Sequence, residues 1–314
     1  MTLRLILNGK KAQQEELREA VLALREQGND IQVRVTWEAA DVPRLINEAH
    51  QQGWNHPDKK LMIGGGDGSV QAAVSALMQL PKDERPSLAI MPLGTANDFA
   101  NGCGLPLEAS EALQFALDNQ PQAIDVIRVE GPEESSSHYF LNVLSAGFAA
   151  EVTADTPTEL KDLLGGGAYT LSGLLKAVTL SAYKGEISSE EHRFNDELVL
   201  AALCNGKQAG GGQELAPKAL VNDGLLDVCV IKAFPAFALS QVIQEASAFS
   251  QGETQPEAEY VISWQTASLD IKLEQALPCN LDGEPYEFKQ AHIEVEPQAI
   301  TLIVAPDSSC LSRQ

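Results

Sequence analysis

The chain has 314 residues, 44% of them hydrophobic, with a formal net charge of −22 and a pI of about 4.5. A surface this acidic repels nucleic acid at long range, which argues against DNA or RNA as a partner. It does not exclude a nucleotide, provided that backbone donors, a metal ion or a few placed cations bind the phosphates. The apolar run in MTLRLILNGKK is too short for a signal peptide or membrane anchor. Five scattered cysteines without a CxxC pair favour a reducing cytosol.

The first third of the chain alternates predicted strands and helices. LRLILN predicts a buried strand, and EELREAVLALREQG predicts a helix that Gly28 ends. IQVRVTW follows, with Ile31, Val33 and Val35 expected on the inner face of a half-buried strand.

The same alternation then repeats. Asp41 is expected to cap the helix DVPRLINEAHQQG, which Gly53 follows, and Ser110 to cap the helix EALQFALDN. Between these two helices come the strand KKLMI, an amphipathic helix and the strand SLAIMPL. Alternation at this spacing predicts an α/β domain over residues 1–124, with a parallel sheet covered by helices.

After Asp125 the pattern changes to short strand-like runs, namely AIDVIRVE, SHYFLNVL, ELVLAALC, GLLDVCVI, SLDIKL, PCNLDGEPYEF and AHIEVEP. In SLDIKLE, Leu269, Ile271 and Leu273 alternate with charged residues, which is typical of an antiparallel sheet with one solvated face. Helical insertions are expected near 170–180 and 235–250. We predict a mainly β domain over 125–299, with ITLIVAP, in 300–314, as a segment that could complete the first domain.

Two turns that contain glycine follow neighbouring strands of the predicted parallel sheet. GGGDGSV, residues 64–70, lies at the carboxyl end of a strand, where open α/β sheets bind ligands. It lacks the third glycine of a dinucleotide fingerprint and the lysine of a P-loop, and the alternative is a tight turn in which glycine only provides positive φ. PLGTANDFA, residues 92–100, offers Thr95, Asn97 and Asp98 to the same crevice, unless it is simply an Asx-type turn that begins a helix.

Three further turns carry polar residues in the predicted β domain. NGKQAGGG, residues 205–212, is a second glycine-rich loop. Asp223 in ALVNDGLLD, and Asp282 with Glu284 in NLDGEPYEF, lie in tight turns. A turn carboxylate flanked by carbonyls suits a hard cation such as Mg²⁺, but a hairpin is the favoured interpretation of both turns. No histidine cluster or G-x-S-x-G elbow indicates another kind of site.

In order along the chain, GGGDGS, PLGTANDFA, NGKQAGGGQELAP, NDGLLD and NLDGEP resemble the motifs of bacterial diacylglycerol kinase-like lipid kinases. The resemblance covers almost the whole chain. PLGTANDFA is its most specific motif, since NAD kinases and phosphofructokinases have loops similar to GGDG. It implies an N-terminal α/β nucleotide domain, a C-terminal antiparallel β-sandwich domain and a cleft between them. It also implies transfer of the γ-phosphoryl group of ATP to the hydroxyl of phosphatidylglycerol or a diacylglycerol-like lipid.

The resemblance further implies roles for individual residues. ATP would contact Thr36, Gly66, Asp67, Gly68, Ser69, Val70, Gln71, Ala72 and Thr95. Mg²⁺, for which Ca²⁺ could substitute, would be held by the Asp223 side chain and the carbonyls of Leu220 and Leu225. Glu284 would take the proton from the attacking hydroxyl. The role of Asp67 stays open between orienting its loop, helping to place the metal, and catalysis, in which NAD kinases use the equivalent acid.

One departure from the family pattern concerns the nucleotide loop. The family continues GGDGT-x-N-E, whereas this chain has Ser69, Val70, Gln71 and Ala72. Serine keeps the hydroxyl of threonine, but Ala72 removes a charge and a hydrogen-bond acceptor.

Two alternatives to a lipid kinase stay open. One is a kinase of a soluble hydroxyl such as that of NAD, against which PLGTANDFA speaks. The other is a catalytically weak, nucleotide-binding regulatory protein, which only Ala72 supports.

The lipid substrate implies a transient association with membranes by a cytoplasmic protein. An acidic chain would then need a local apolar or basic patch for docking. LLGGGAYTLSGLLKAV, residues 163–178, is a candidate apolar segment, although a buried helix is the favoured interpretation of it.

Overall fold

The computed structural model describes residues 2–38, 40–132, 137–147, 182–253 and 257–312. They form two compact units, the first comprising Met1–Val126, Val221–Asp223 and Glu296–Gln314, and the second Ile127–Leu220 and Gly224–Val295. The predicted helix near 170–180 and the apolar segment 163–178 lie outside the described residues. Within the described ranges, no helix is long and apolar enough to cross a membrane.

The first unit contains a parallel sheet with helices beside it. Its strands are β1 (Thr2–Asn8), β2 (Asp30–Thr36), β3 (Lys59–Gly65), β4 (Ser87–Pro92) and the end of β15 (Glu284–Ile303), in the order β15-β4-β3-β1-β2. Its helices are α1 (Glu15–Glu26), α2 (Asp41–Gln51), α3 (Asp67–Met78), α4 (Asp98–Gly102) and α5 (Ala109–Asp118). The predicted strand and helix alternation of this region is confirmed.

Apolar periodicity accounts for these elements. Alternate leucines of β1 pack with the apolar face of α1 in one core cluster, to which α5 also contributes; its members include Leu3, Leu5, Leu7, Leu17, Val21, Leu24 and Leu113. Gly28 and Gly53 follow α1 and α2 with φ of 91° and 69°, so they end these helices in the left-handed conformation that glycine accepts readily. The C-terminal strand β15 joins this sheet through the pairing of Leu302 with Leu88.

Three local predictions in this region are wrong. Val35 is exposed rather than inward, near the end of β2, which is the edge strand among the described strands of this sheet. Asp41 accepts hydrogen bonds from amides that precede α2 instead of capping the helix amides. Ser110 lies inside the first turn of α5, whose N-cap is Glu108. For Asp41, the amides of Trp37 and Glu38 are partners that the local pattern does not reveal.

The second unit is an antiparallel β domain. Its larger strands are β5 (Pro121–Glu130), β6 (His138–Phe140), β7 (Val143–Gly147), β8 (Tyr183–Ser188), β9 (Arg193–Cys204), β12 (Leu226–Lys232), β13 (Val261–Thr266) and β14 (Ser268–Leu281), with β10 (Gln208–Ala209) and β11 (Gln213–Glu214) as a small separate pair. The order is β13-β12-β9-β7-β14-β15, with β8 paired to β9 and β14, and β5 to β6 and β15. Helix α6 (Leu239–Ser250) confirms the predicted insertion near 235–250.

The long strand β14 takes part in two pairings. Its first half pairs with β8 and its last residues pair with β7, and its register with β15 shifts between Lys272 and Leu277. Such an irregularity lets one strand bend and contribute to two layers of a sandwich. Leu269, Ile271 and Leu273 are buried in the core, as predicted. Strands β8 and β13 were not predicted, although the alternation in VISWQT is a signal for β13.

Lys60 is a charged side chain that is buried in the first unit. Lys60 of β3 is 1% exposed, and its Nζ donates hydrogen bonds to the carbonyls of Ala116 (2.7 Å), Leu117 (3.3 Å) and Asn119 (2.6 Å). The carbonyls at the end of a helix have no partner within that helix, and a cation also suits its negative end. Burial lowers the pKa of Lys60. Lys60 therefore fastens the end of α5 to the strand that leads into GGGDGSV.

Replacing Lys60 by methionine tests this anchor. Lys60→Met keeps an unbranched side chain but leaves the carbonyls without their charged donor, so we expect the free energy of unfolding to fall by about 2–3 kcal/mol. Urea denaturation measures this. The control is Lys184→Met, which removes an exposed ion pair with Glu274 (3.2 Å) and should cost less than about 1 kcal/mol. Equal losses for the two variants would contradict the anchoring role of Lys60.

Candidate active site

Two motifs leave adjacent parallel strands at the same edge of the first unit's sheet. β3 and β4 stay in register up to the pair of Gly65 and Pro92, and the Leu93 amide donates to the Gly65 carbonyl (2.9 Å). GGGDGSV then enters α3 after Gly66, and PLGTANDFA enters α4 after Asn97. The predicted position of both motifs, between a strand and a helix, is confirmed.

Close packing requires glycine in both motifs. A Cβ atom at Gly94 would lie 2.5 Å from the Gly66 Cα, and one at Gly65 would lie 2.4 Å from the Ser69 Oγ. None of Gly64, Gly65 and Gly66 has a positive φ. The alternative in which these glycines only provide positive φ is therefore wrong. Instead, the backbones of the two motifs lie in direct contact.

The first turn of α3 supplies donors for an anion. The helix begins at Asp67. The amides of Ser69 and Val70 already donate to the Gly66 carbonyl, so the Gly68 amide, which precedes them, is the first-turn amide that can donate to an anion. The start of an α-helix carries partial positive charge and directs N–H groups outward, which favours bound phosphate. This edge can therefore attract phosphate without a lysine in the motif.

Asp67 joins the two motifs. Its carboxylate accepts hydrogen bonds from the backbone amides of Asp98 and Phe99, at the start of α4. Burial, and then the charge of the buried Asp98, raise the pKa of Asp67. Of the alternatives for this aspartate, the geometry describes the orienting one, because the carboxylate holds the second motif against the first. Its action on a metal or in catalysis stays a prediction.

Asn97 shapes the second motif. It adopts the left-handed conformation with φ of 51°, which asparagine tolerates better than most residues. Its Oδ1 accepts the Gly94 N–H (2.8 Å), and its Nδ2 donates to the Gly94 carbonyl (3.0 Å). Because the side chain bonds back to Gly94 and not to an amide further on, the Asx-type interpretation is wrong, although the motif does begin a helix. Thr95 lies exposed within this closed turn.

The remaining predicted nucleotide contacts differ in exposure. Gly68 and Ser69 are partly exposed, whereas Val70 is buried. Gln71 donates to the Ser75 Oγ (3.2 Å) along α3. Thr36 is 8% exposed, and its hydroxyl donates to the Leu7 carbonyl (3.3 Å). The structure thus brings the GGGDGSV loop and Thr95 together at one edge, while the Thr36 hydroxyl already has a main-chain partner. Ala72 is half-buried on α3.

The predicted metal ligands lie in a segment without a strand before Asp223. Val221 donates to the Cys310 carbonyl (2.8 Å) and accepts the Asp125 N–H (2.7 Å), and the Asn222 Oδ1 accepts the Ser312 N–H (2.7 Å). Because these residues pair with the C-terminal segment and not with β12, the hairpin interpretation of NDGLLD is wrong.

Asp223 belongs to the first unit and Leu220 and Leu225 to the second. One carboxylate and two carbonyls are oxygen donors of the kind that Mg²⁺ and Ca²⁺ take, so the predicted set fits such an ion by its chemistry. Within the described part of the chain, no group of three or more histidine, cysteine, aspartate or glutamate side chains forms a further candidate metal site.

Glu284 follows a two-residue hairpin turn in the second unit. Asp282 and Gly283 have φ of 51° and 101°, the two positive values of a type I′ turn, and Leu281 pairs with Glu284 across it. The Gly283 N–H donates to the Asn280 Oδ1 (2.6 Å). The predicted hairpin of NLDGEP is confirmed, and it places Glu284 exposed at the start of β15.

The buried carboxylate of Asp282 fixes this turn. It accepts the backbone N–H groups of Leu141 (2.6 Å), Asn142 (3.1 Å) and Val143 (2.8 Å). The Asn205 Nδ2 donates to the carbonyl of Leu141 (2.6 Å), so NGKQAGGG is tied to the same segment. The sequence showed Asp282 in its turn but not its partners, and it gave no signal for the Asn142 segment.

Asp67 can be tested by two substitutions. Asp67→Ala removes the acceptor at the start of α4 and should lower the free energy of unfolding by about 1 kcal/mol, whereas Asp67→Asn keeps an acceptor. The pKa of Asp67 is raised above its usual value of 3.8, so the folded state binds more protons than the unfolded state between the two values. Wild-type stability should therefore rise relative to Asp67→Asn as pH falls from 7 through that window. A fall, in urea denaturation at several pH values, would contradict this environment.

Asp282 can be tested in the same way. Asp282→Ala leaves several buried amides without an acceptor, so we expect a loss of about 2–3 kcal/mol in the free energy of unfolding and faster hydrogen exchange at Leu141 and Val143. The control is Asp270→Ala, on the exposed face of β14, which loses only an exposed contact with His292 (2.9 Å). It should cost less than about 1 kcal/mol. Unchanged exchange in Asp282→Ala would remove Asp282 from the anchoring role.

Solved structures share this architecture. A putative diacylglycerol kinase from Bacillus anthracis has a TM-score of 0.78 and 24% identity, with 98% of this chain and 96% of that chain covered. A likeness at this identity concerns the fold. The predicted class, a parallel α/β domain followed by an antiparallel β-sandwich domain, is confirmed.

Sequence comparison gives the family. Residues 2–129 match the diacylglycerol kinase catalytic domain, and residues 142–304 match the YegS C-terminal NAD kinase beta sandwich-like domain. A probable lipid kinase YegS-like protein of Shewanella frigidimarina is 47% identical over 98% of this chain and 96% of its own. A protein of the same description from Chromohalobacter salexigens is 44% identical, over 99% and 95%. The chain belongs to the diacylglycerol kinase-like lipid kinases, and the resemblance to this family, including its YegS-like members, is confirmed.

Proposed function

We propose that the protein is an ATP- and Mg²⁺-dependent lipid kinase that transfers the γ-phosphoryl group of ATP to the hydroxyl of phosphatidylglycerol or a diacylglycerol-like lipid. The observation that carries this proposal is the contact of Gly66 with Gly94, at the carboxyl ends of β3 and β4, in a chain of this family. The contact joins a helix start suited to phosphate with the motif PLGTANDFA, which is the most specific to the lipid kinases.

The nucleotide phosphates bind to the GGGDGSV loop in this proposal. The Gly68 amide at the start of α3 and the Ser69 hydroxyl donate to phosphate oxygens, and the exposed Thr95 hydroxyl donates from the second motif. Phosphoryl transfer depends mainly on positioning and on stabilising charge. Donors that are fixed by the glycine contact and by Asp67 supply positioning and charge stabilisation, because they need little reorganisation when the nucleotide binds.

Asp223 and the carbonyls of Leu220 and Leu225 would hold the metal ion. When bound, Mg²⁺ neutralises charge on the phosphate oxygens of the nucleotide. A local cation of this kind reconciles a phosphate site with a net charge of −22. Asn222 and Val221 hold the segment before Asp223 through their bonds to Ser312, Cys310 and Asp125.

Glu284 takes the proton from the attacking lipid hydroxyl. Its carboxylate is exposed and can therefore meet a substrate that stays partly in a membrane. The bonds of Asp282 fix the backbone of the turn just before Glu284, which limits the positions that the carboxylate can take.

The proposed location of the enzyme is the cytoplasm, where the five cysteines, all buried and free, remain reduced. Association with the membrane is transient, because the acidic surface opposes anionic head groups.

Substituting Glu284 tests the assignment. We expect Glu284→Gln to reduce phosphoryl transfer to lipid by roughly 10²- to 10⁴-fold, because the amide cannot accept the proton, while ATP binding and stability stay unchanged. The assay uses γ-labelled ATP with lipid micelles, alongside calorimetric titration of ATP. Glu287→Gln, another exposed glutamate of β15, is the matched control and should keep wild-type turnover. Wild-type turnover in Glu284→Gln would exclude it as the base.

A further inference from the structure

An exposed aromatic side chain lies at the ligand-binding edge of the first unit and has no part in the function proposed above. Trp37 directly follows β2 and is 91% exposed, whereas Trp54 and Trp264 are 3% and 8% exposed. An indole ring is large and mostly apolar, and it gains free energy when it packs against another surface. A ring left this open at a ligand-binding edge is available to a ligand.

The backbone that carries this ring is fixed. The Trp37 N–H donates to the Asp41 Oδ2 (2.7 Å), and Arg44 pairs with the other oxygen, Oδ1 (2.6 Å). These contacts lower the pKa of Asp41 to about 2, and the hydrogen bond from the Trp37 amide is the largest cause. The carboxylate is therefore ionised near neutral pH. The Trp37 backbone is therefore positioned in advance, which reduces the ordering cost when a ligand packs on the ring.

The ring lies at a suitable place along the sheet edge. Asn8 pairs with Thr36 at the ends of β1 and β2, and Leu7 pairs with Gly64 of β3. Neighbouring strands are about 4.8 Å apart, so the end of β2 is roughly 10 Å from the GGGDGSV loop. An extended nucleoside triphosphate is long enough to cover that separation. Gly9, after β1, places no side chain between Trp37 and the GGGDGSV loop. A side chain is disfavoured at this position, because a Cβ atom would lie 2.8 Å from the Thr36 carbonyl oxygen.

We infer that Trp37 is a binding residue for the nucleotide, with its ring stacked on the base while the phosphates occupy the GGGDGSV loop. The inference rests on the proposed function and adds a base subsite to it. Stacking on an aromatic ring accepts any base, because each base has a π-face. The site is therefore expected to bind ATP and GTP with similar affinity, unless other groups read the edge of the base.

Charge favours a base over a lipid surface as the partner of Trp37. An exposed tryptophan can also enter the interface of a membrane. However, Glu38 and Asp41 lie beside it, and the chain carries a net charge of −22, which opposes anionic lipid head groups. A neutral base does not meet this repulsion.

The experiment compares a ligand that has a base with one that has none. ATP and inorganic tripolyphosphate, each with Mg²⁺, are titrated by calorimetry into the wild type, Trp37→Ala and Trp37→Phe. We expect Trp37→Ala to bind ATP roughly ten-fold more weakly and tripolyphosphate equally well, with most of the ATP affinity kept in Trp37→Phe. ATP, but not tripolyphosphate, should quench tryptophan fluorescence in the wild type. Leu107→Ala, an exposed apolar residue of the same unit, is the control and should change neither affinity.

The outcomes separate this inference from the proposed function. Equal ATP affinity in the wild type and Trp37→Ala, with tripolyphosphate bound by both, would overturn the stacking role and leave the phosphate site standing. Trp37→Ala could instead lose binding to phosphatidylglycerol vesicles while its ATP affinity stays unchanged. That result would assign the ring to membrane binding and would also overturn the stacking role. A wild type that binds neither ATP nor tripolyphosphate would overturn the phosphate site and the inference together.

Discussion

The arrangement of the first unit's ligand edge depends on one close approach, that of the Gly66 and Gly94 backbones. A side chain at Gly94 would collide with Gly66, so GGGDGSV and PLGTANDFA can share the edge only while glycine stands there. Asp67 strengthens the junction by accepting the first amides of α4. Lys60 supports it from the other end of β3 by capping α5. The donors proposed for phosphate are thus fixed before a ligand binds.

An acidic protein that handles phosphate has to create positive potential locally. The chain has a net charge of −22, and its glycine motif has no lysine. Backbone amides and a metal ion are therefore the proposed sources of positive potential. Asp67 is compatible with such a site because its carboxylate is used by the Asp98 and Phe99 amides and its raised pKa reflects the cost of its burial. The contacts of Asp67 therefore connect two loops, inside a motif that is proposed to bind phosphate.

The sequence predicts what is local and periodic. Alternation placed Leu269, Ile271 and Leu273 inward, and Asp-Gly chemistry predicted the hairpin before Glu284. The same reasoning failed for Asn-Asp-Gly at Asp223, because the pairing of Val221 with distant segments decides that conformation. Contacts such as Asp282 with Leu141–Val143 join residues far apart in the chain, so no local pattern reveals them. The roles of Glu284 and Asp223 came from the resemblance, since a turn carboxylate alone does not distinguish a base or ligand from a hairpin residue.

The central claim is that the phosphoryl acceptor is a lipid. It is tested most directly by incubating the wild-type protein with γ-labelled ATP, Mg²⁺, mixed micelles of phosphatidylglycerol and diacylglycerol, and NAD together. Organic extraction then separates labelled lipid from labelled soluble product. The account predicts label in the extracted lipid and none in NAD. Label in the soluble product, or no transfer to either acceptor despite bound ATP, would contradict it.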